Sequence, residues 1–398
     1  MNFYSLFSIV FSGLILNNYL ASFGIQNKDL FLVFTLTSIA GLFTIIPRYL
    51  TDRFGRKPLI LLNNVILLAC TIGSSIAPNI IFFIFFSFIG GAFGVNISSL
   101  FIAEEVPARN RGKTIGLYTG IGMSSSILAA YLFTFVGSLT DIWRWRLIFS
   151  TVCLSGLVIL IILWFKIKET KRFAYCKKNN STNQSIFRVF QKNYLKILAL
   201  SGLTLFLTDW IYLTIKRYFV LFLIEERGSL GFTTALIGTW LTFIYTGSII
   251  GYYLSGILAD HLGRKKSIYL TVAIYFIGSL IFLFFWDIPT IFIGLFILNL
   301  TFAIYRLIAE ILAVEFWPTE LRGIGSGWVF VIAATSGIIG NLVMYFLFDP
   351  LGGWDNLFLI IGTICLIALV IVTSLIPETK QRVVEEIFST EIEKKICN

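Results

Sequence analysis

Thr51-Asp52-Arg53-Phe54-Gly55-Arg56-Lys57-Pro58 packs one acid, three bases, a glycine and a proline between two long apolar runs. A charged, turn-forming octet in that setting reads as a tight loop joining two membrane-spanning helices at the water face. It returns as Ala259-Asp260-His261-Leu262-Gly263-Arg264-Lys265-Lys266, 208 residues later (260 − 52) and again between apolar runs. Two copies of so unusual a loop half a chain apart predict two homologous halves.

Composition sets the same class. The 398 residues are 57% hydrophobic and 13% charged with a mean hydropathy of +0.87, whereas a soluble domain carries about 25% charged residues. At about 20 residues per crossing, the apolar runs predict twelve spans. Spans 1 to 6 cover 3–25, 30–50, 58–76, 79–103, 114–138 and 145–166; spans 7 to 12 cover 195–224, 234–258, 268–286, 289–314, 324–348 and 355–376. The predicted fold class is an all-α integral membrane protein with twelve transmembrane helices in two six-helix halves. The halves fall at 1–166 and 194–376, with a polar cytoplasmic linker at 167–193 and a cytoplasmic tail at 377–398. The five cysteines, Cys70, Cys153, Cys176, Cys365 and Cys397, show no paired metal spacing, and three lie inside apolar runs as expected of small buried side chains. No metal and no cofactor are expected.

Positive charge orients the bundle. The side bearing the Asp52 loop holds 24 of the 31 lysines and arginines, and the other side only Lys28, Arg144, Arg146 and Arg227. Positive residues favour the cytoplasmic side, so the expectation is a multi-pass protein of the cytoplasmic (inner) membrane with both termini cytoplasmic. The net charge of +10 is therefore a topology signal; the bases sit in short loops beside helix ends, and no nucleic-acid partner is expected.

The duplication extends along the chain. Glu104-x-x-Pro107-x-x-x-Arg111-Gly112 recurs as Glu315-x-x-Pro318-x-x-x-Arg322-Gly323 at an offset of 211. Trp145 and Phe149 match Trp354 and Phe358, and Glu169-Thr170-Lys171 matches Glu378-Thr379-Lys380, both at 209. Parallel six-helix repeats place a substrate site near the midplane between them. The first run fits less well, because an offset of 209 maps 195–224 onto −14 to 15. Either the outer loop of the first half is shorter, or the chain lacks an N-terminal piece.

The two octet loops resemble those of the major facilitator superfamily of secondary transporters, whose loop after the second helix of each half reads D-R-x-G-R-[KR]. The E-x-x-P-x-x-x-R-G loops after spans 4 and 10, and Pro377-Glu378-Thr379-Lys380 before the acidic Val384-Glu385-Glu386-Ile387, are similar to those of sugar porters and related metabolite and organic-ion symporters. Two departures stand out. Phe85-Phe86 occupy the place where sugar porters usually carry an arginine ahead of Gly90-Gly91-x-x-Gly94, and span 1 has no acid, which proton-linked sugar symporters typically carry there.

The resemblance implies a transporter that is no enzyme, takes a small-molecule substrate, works as a monomer in the lipid bilayer and has protons as the candidate coupling ion. Its loop motifs then act as a latch. Asp52 at a helix end pairs with Arg56 or Arg111 beneath the bundle, with Arg53, Gly55 and Glu104 in the same network; Asp260, Gly263, Arg264, Glu315 and Arg322 form the counterpart. Exposed ion pairs are worth about 0–1 kcal/mol each, which suits contacts broken in every cycle. His261 replaces a base of the motif and is expected to be solvated.

Charges inside the spans point to a site, since each costs about 2.5–3.5 kcal/mol at mid-bilayer. Span 7 carries Asp209, Lys216 and Arg217, with Asp209 and Lys216 two turns apart on one face and Tyr212 between them; span 10 carries Arg306 and Glu310, one turn apart and able to pair. The predicted substrate-binding set is Lys216, Arg217, Arg306, Tyr212, Asn17 and Asn299, with Asn18, Tyr19, Asn96, Trp240, Tyr245 and Tyr305 as further polar wall. Asp209 and Glu310 are the candidates for proton coupling, since a desolvated carboxylate can take a proton. Three positive charges against two negative favour an organic anion. A sugar or polyol porter or facilitator is the alternative, then drug or metabolite efflux, and outside transport a sensor on the same scaffold. Gly112-Lys113-Thr114 mimics the end of a phosphate-binding loop, but the required earlier glycine is Pro107, so ATP-driven transport by this chain is not expected. Gly116-x-x-x-Gly120 is followed by Ile121, which breaks the drug-antiporter signature.

Overall fold

The structure is a computed structural model that describes residues 2–94, 101, 108–136, 142–166, 169, 186–212, 215, 217–317 and 321–376. Among these, regular structure is entirely helical. Ten helices are long and apolar enough to cross a membrane, and two shorter apolar helices, Phe3–Leu14 and Ile80–Phe93, stand where spans 1 and 4 were expected. All twelve predicted runs are thus helical, though three are not single rods. Span 1 is Asn2–Leu14 and Leu16–Phe23, broken at Ile15. Span 2 is Asn27–Ser38 and Ile45–Phe54 joined by a 3-10 stretch, Ile39–Thr44. Span 7 is Lys192–Ile211 and Phe219–Glu225.

The repeated octets owe their sharpness to one backbone position each. Gly55 lies at φ 105°, ψ 161° between span 2 and span 3 (Arg56–Ser75), and Gly263 at φ 91°, ψ 160° between span 8 (Thr234–His261) and span 9 (Arg264–Phe284). That region is open essentially to glycine alone, which is why the reversal fits into a single residue.

Helix starts on the opposite face are capped by short polar side chains, which satisfy first-turn amides that have no partner within the helix. Asn79 accepts from the Phe82 amide, Thr233 from Leu236 and Asp287 from Thr290 at 3.1, 3.2 and 3.0 Å. The Thr290 hydroxyl and amide together hold the Asp287 carboxyl below the usual carboxylate range.

Helix ends there are closed by arginines. Arg146 Nη1 donates to the Ser75 and Ala77 carbonyls at 3.2 and 2.7 Å, at the end of span 3. Arg227 Nη2 donates to the Leu283 carbonyl at 2.9 Å, at the end of span 9, and to Asp355 at 3.0 Å. Ser75 and Leu283 are 208 apart, Arg146 and Asp355 are 209 apart. The second half therefore carries an acid where the first carries the capping base, and that acid holds an arginine from the preceding loop to the same task.

The matched tryptophans register span 1 against span 7. Trp145 Nε1 donates to Ser22 Oγ at 3.1 Å and Trp354 Nε1 to Glu225 Oε2 at 2.9 Å. Ser22 lies five residues before the helix that opens span 2 at Asn27, and Glu225 nine before the one that opens span 8 at Thr234. The outer loop of the first half is thus four residues shorter, which removes part of the misfit of span 1: the Ser22–Glu225 offset of 203 maps 195–224 onto −8 to 21.

The halves meet along two seams. In one, span 2 packs on span 11 (Arg322–Leu347), from Phe31 against Phe348 at 5.9 Å between ring centroids to the Arg48 guanidinium 4.1 Å above the Phe330 ring. In the other, span 5 (Ala108–Phe133) packs on span 8, where a Cβ on Gly116 would stand 2.8 Å from the Tyr252 carbonyl and one on Gly238 2.9 Å from that of Ala130. Small residues permit such close approach.

Gly55→Ala and Gly263→Ala are each expected to destabilise the protein by about 2 kcal/mol. Gly228→Ala, at a position with open space around it and no positive φ, is expected to be neutral. Thermal unfolding in detergent reads the difference, and equal melting temperatures for all three variants would remove the proposed role of the motif glycine.

Candidate functional site

Span 7 loses its α-helical hydrogen bonding after Ile211, and the Arg217 amide reaches back to the Tyr212 carbonyl, five residues earlier, at 3.2 Å. No proline or glycine lies between Asp209 and Phe219, so this is a π-type turn, a local form that favours functional positions. The single helical face predicted from Asp209 to Lys216 is interrupted by this turn. Lys216 itself lies outside the described residues. Beyond the turn, Tyr218 donates to Asn341 Oδ1 of span 11 at 2.8 Å. The Arg217 guanidinium lies 3.8 Å over the Phe34 ring of span 2.

The acids on spans 7 and 10 converge on one base. Arg306 binds Asp209 through Nε–Oδ1 at 2.5 Å and Nη2–Oδ2 at 3.5 Å, and its Nη1 lies 3.5 Å from Glu310 Oε2. The expected Arg306–Glu310 pair is therefore present, but Asp209 is the tighter partner. Asp209 thus pairs across to span 10. The cluster carries two carboxylates on one guanidinium, a single net negative charge when both are ionised. Side-chain exposures of 28% for Asp209, 17% for Arg306 and 21% for Glu310 leave it partly open. Asn299 is committed elsewhere: its amide donates to the Leu295 carbonyl at 2.9 Å and its Oδ1 accepts from Ser248 at 3.2 Å, stitching span 10 (Ile288–Glu315) to span 8.

Arg217 makes no ion pair among the described residues. It lines a cavity of about 290 Å3 whose other walls come from spans 1 to 4 and Phe149 of span 6. The site was expected between the halves, with Arg306 and Asn299 in its wall; this cavity instead sits within the first half, and Arg217 is the residue by which the second half reaches it. Tyr19, one of the predicted wall residues, lines it too. The Tyr212 ring packs 5.4 Å from that of Phe302 on span 10. Of the other predicted wall residues, Trp240 stacks on Phe292 at 4.9 Å and Tyr305 packs edge-on to Tyr275 at 5.6 Å, both as packing. The Asn17 side chain and Asn96 lie outside the described residues.

Sequence reasoning missed the cavity's hydroxyls, among them Ser8, Ser38 and Thr71. One signal was available: Ser5, Ser8 and Ser12 fall at i, i+3 and i+7, a polar stripe on one face of an apolar span.

At the motif loops, the arginine that follows each octet's glycine folds back onto its own turn. Arg56 Nη1 donates to the Thr51 carbonyl at 3.0 Å and Arg264 Nη1 to that of Ala259 at 3.1 Å, with Asp260 3.7 Å from Arg264. Glu169, matched by sequence but assigned no task, accepts from the Arg56 and Lys57 amides at 2.9 and 3.2 Å, a carboxylate at the positive end of span 3. Arg53 and His261 are exposed. The side chains of Asp52, Arg111, Glu315 and Arg322, and all of Glu104, lie outside the described residues.

Known proteins share this architecture. The proton:xylose symporter XylE superposes with a TM-score of 0.75 at 15% identity over 98% of this chain and 96% of its own, and the human organic anion transporter MFSD10 with 0.70 at 14% over 93% and 97%. Those identities speak for the fold alone. By sequence, the chain is 25% identical to the sialic acid transporter NanX of Escherichia coli K12 over 78% of its length and 76% of the relative's. It is 26% identical to the cis,cis-muconate transport protein of Acinetobacter baylyi over 83% and 81%. The family model of the Major Facilitator Superfamily matches residues 1–228 and again 197–397. The chain thus belongs to the Major Facilitator Superfamily, among its transporters of metabolites or sugars.

Proposed function

We propose that this chain is a secondary active transporter of a small organic anion, working by alternating access of its two halves. The observation that carries the reading is Arg217, a guanidinium in the wall of a polar cavity with no carboxylate partner among the described residues. A positive charge in a low-dielectric wall calls for a counter-ion, and a planar guanidinium suits a carboxylate. Two relatives are named for acids, sialic acid and muconate, which supports the same choice. Lys216, Tyr212 and Asn17 complete the proposed substrate set; Arg306 and Asn299 hold the framework of spans 7, 8 and 10. The hydroxyl-lined wall favours a second reading, a sugar or polyol porter.

Coupling is assigned to the acid cluster. Glu310 is the more loosely held carboxylate and can take a proton without breaking the Arg306–Asp209 fork. Protonation brings the cluster to neutrality, a change that span 7 feels through Asp209. The motif loops serve as the latch on the cytoplasmic side of an inner membrane, the side assigned by 24 of the 31 bases, with the protein acting as a monomer.

Arg217→Gln is expected to lower uptake at limiting anion by roughly 10–100-fold, the worth of a charged hydrogen bond of about 1.5–3 kcal/mol, and Arg217→Lys to restore part of it. Undiminished uptake by the glutamine variant would shift the assignment to a neutral cargo.

Glu310→Gln is expected to keep substrate exchange and lose accumulation driven by a pH gradient, with Asp209→Asn losing both coupling and stability. Gradient-driven accumulation that survives in both variants would point to a facilitator or another coupling ion.

Asp52→Asn and Arg111→Ala are expected to abolish most transport while the protein remains folded in the membrane. Wild-type uptake rates from both, at matched surface amounts, would leave these charges a role in topology only.

A further inference from the structure

Among the described residues that line the cavity, Arg217 is the one charge; the remaining polar side chains are hydroxyls and the Cys70 thiol. Those hydroxyls are not equivalent. Ser12 donates to the Ile9 carbonyl at 2.9 Å, Thr37 to that of Phe34 at 3.1 Å and Thr71 to that of Leu67 at 2.8 Å. A hydroxyl whose proton is committed to its own helix has only lone pairs left for a ligand. Ser5, Ser8 and Ser38 make no side-chain hydrogen bond among the described residues and are half-buried. The polar part of the wall therefore offers one guanidinium and otherwise hydroxyls that can accept, of which Ser5, Ser8, Ser38 and the unbonded Tyr19 hydroxyl can also donate.

We propose that the cargo is a polyhydroxylated monocarboxylate, a sugar acid, whose carboxylate meets Arg217 while its hydroxyls donate to the oxygens of Ser12, Thr37 and Thr71 and engage Ser5, Ser8 and Ser38. This rests on the anion reading and narrows it. A neutral sugar matches the acceptors and leaves Arg217 without a counter-ion. A dicarboxylate satisfies Arg217 with one carboxylate and leaves the second without a base among the described lining residues. A hydroxyl-free acid leaves the wall's hydroxyls stripped of water with nothing in exchange, and a site built to bond a substrate hydroxyl discriminates strongly against an analogue without it. The cavity's 290 Å3 lies at the small end of ligand pockets, about 300–1,000 Å3, room for one compact polar metabolite.

The test uses the full chain in proteoliposomes, with uptake of labelled D-glucuronate competed by D-gluconate, hexanoate, adipate and D-glucose. D-gluconate is expected to compete at least tenfold better than each of the other three. Ser8→Ala and Ser38→Ala are each expected to raise half-saturating D-glucuronate about fivefold, the worth of one hydrogen bond, and to shift hexanoate inhibition less. That difference separates a ligand contact from a general loss of fold. If hexanoate or adipate competes as well as D-gluconate, the sugar-acid inference is overturned and the anion reading stands. Competition by D-glucose without competition by any acid overturns both. So does a panel in which no acid is taken up, competes or raises the melting temperature of the protein.

Discussion

A charge or a backbone carbonyl inside a bilayer must find its partner within the protein, because hydrocarbon supplies none. Most of the polar architecture here follows from that constraint. Arg146 and Arg227 are buried on the carbonyls that end spans 3 and 9. Arg306 gathers Asp209 and Glu310, so that two acids and one base answer one another. Among the described residues Arg217 makes no ion pair, and it lines a cavity. In a soluble protein an unpaired arginine would carry little information; in a span it carries the functional argument.

The duplication shows which parts of the chain were free to diverge. Both octets keep a glycine in a backbone conformation closed to other residues and an arginine folded onto the carbonyl five positions earlier. The caps at the opposite face do the same work by different wiring, with Arg146 in one half and an Asp355–Arg227 pair in the other. The interiors diverge most. The first half surrounds a hydroxyl-lined cavity, while the second supplies an ion cluster and a single guanidinium to that cavity. Such asymmetry is in keeping with the proposed cycle, in which one half holds cargo and the other senses a coupling ion, with the unwound turn of span 7 joining the ion cluster to Arg217 along the chain.

The two seams set the mechanical frame for that cycle. Spans 2 and 11, and spans 5 and 8, touch near both ends of the bundle through small residues and aromatic contacts. Rigid halves sliding along close-packed seams need breakable contacts at the loops. The octet contacts among the described residues, with Glu169 on the first amides of span 3, each lie within one half and hold the loops themselves in shape.

The sequence by itself determined the class, the twelve helical runs, the duplication and the loop geometry, because each of these follows from local quantities: apolar length, charge placement and a glycine at the reversal. It also marked Asp209, Arg217, Arg306 and Glu310, since a charge in an apolar run is visible one residue at a time. What it did not contain was who meets whom. Assigning Arg306 to Asp209 rather than to Glu310 alone required the distance between spans 7 and 10. The break after Ile211 carries no proline or glycine to announce it. The cavity is assembled from hydroxyls on four spans and an arginine from a fifth, and serines in apolar runs look alike until packing decides which of them bond their own helix and which face open space. Those choices are long-range, and only the tertiary structure made them.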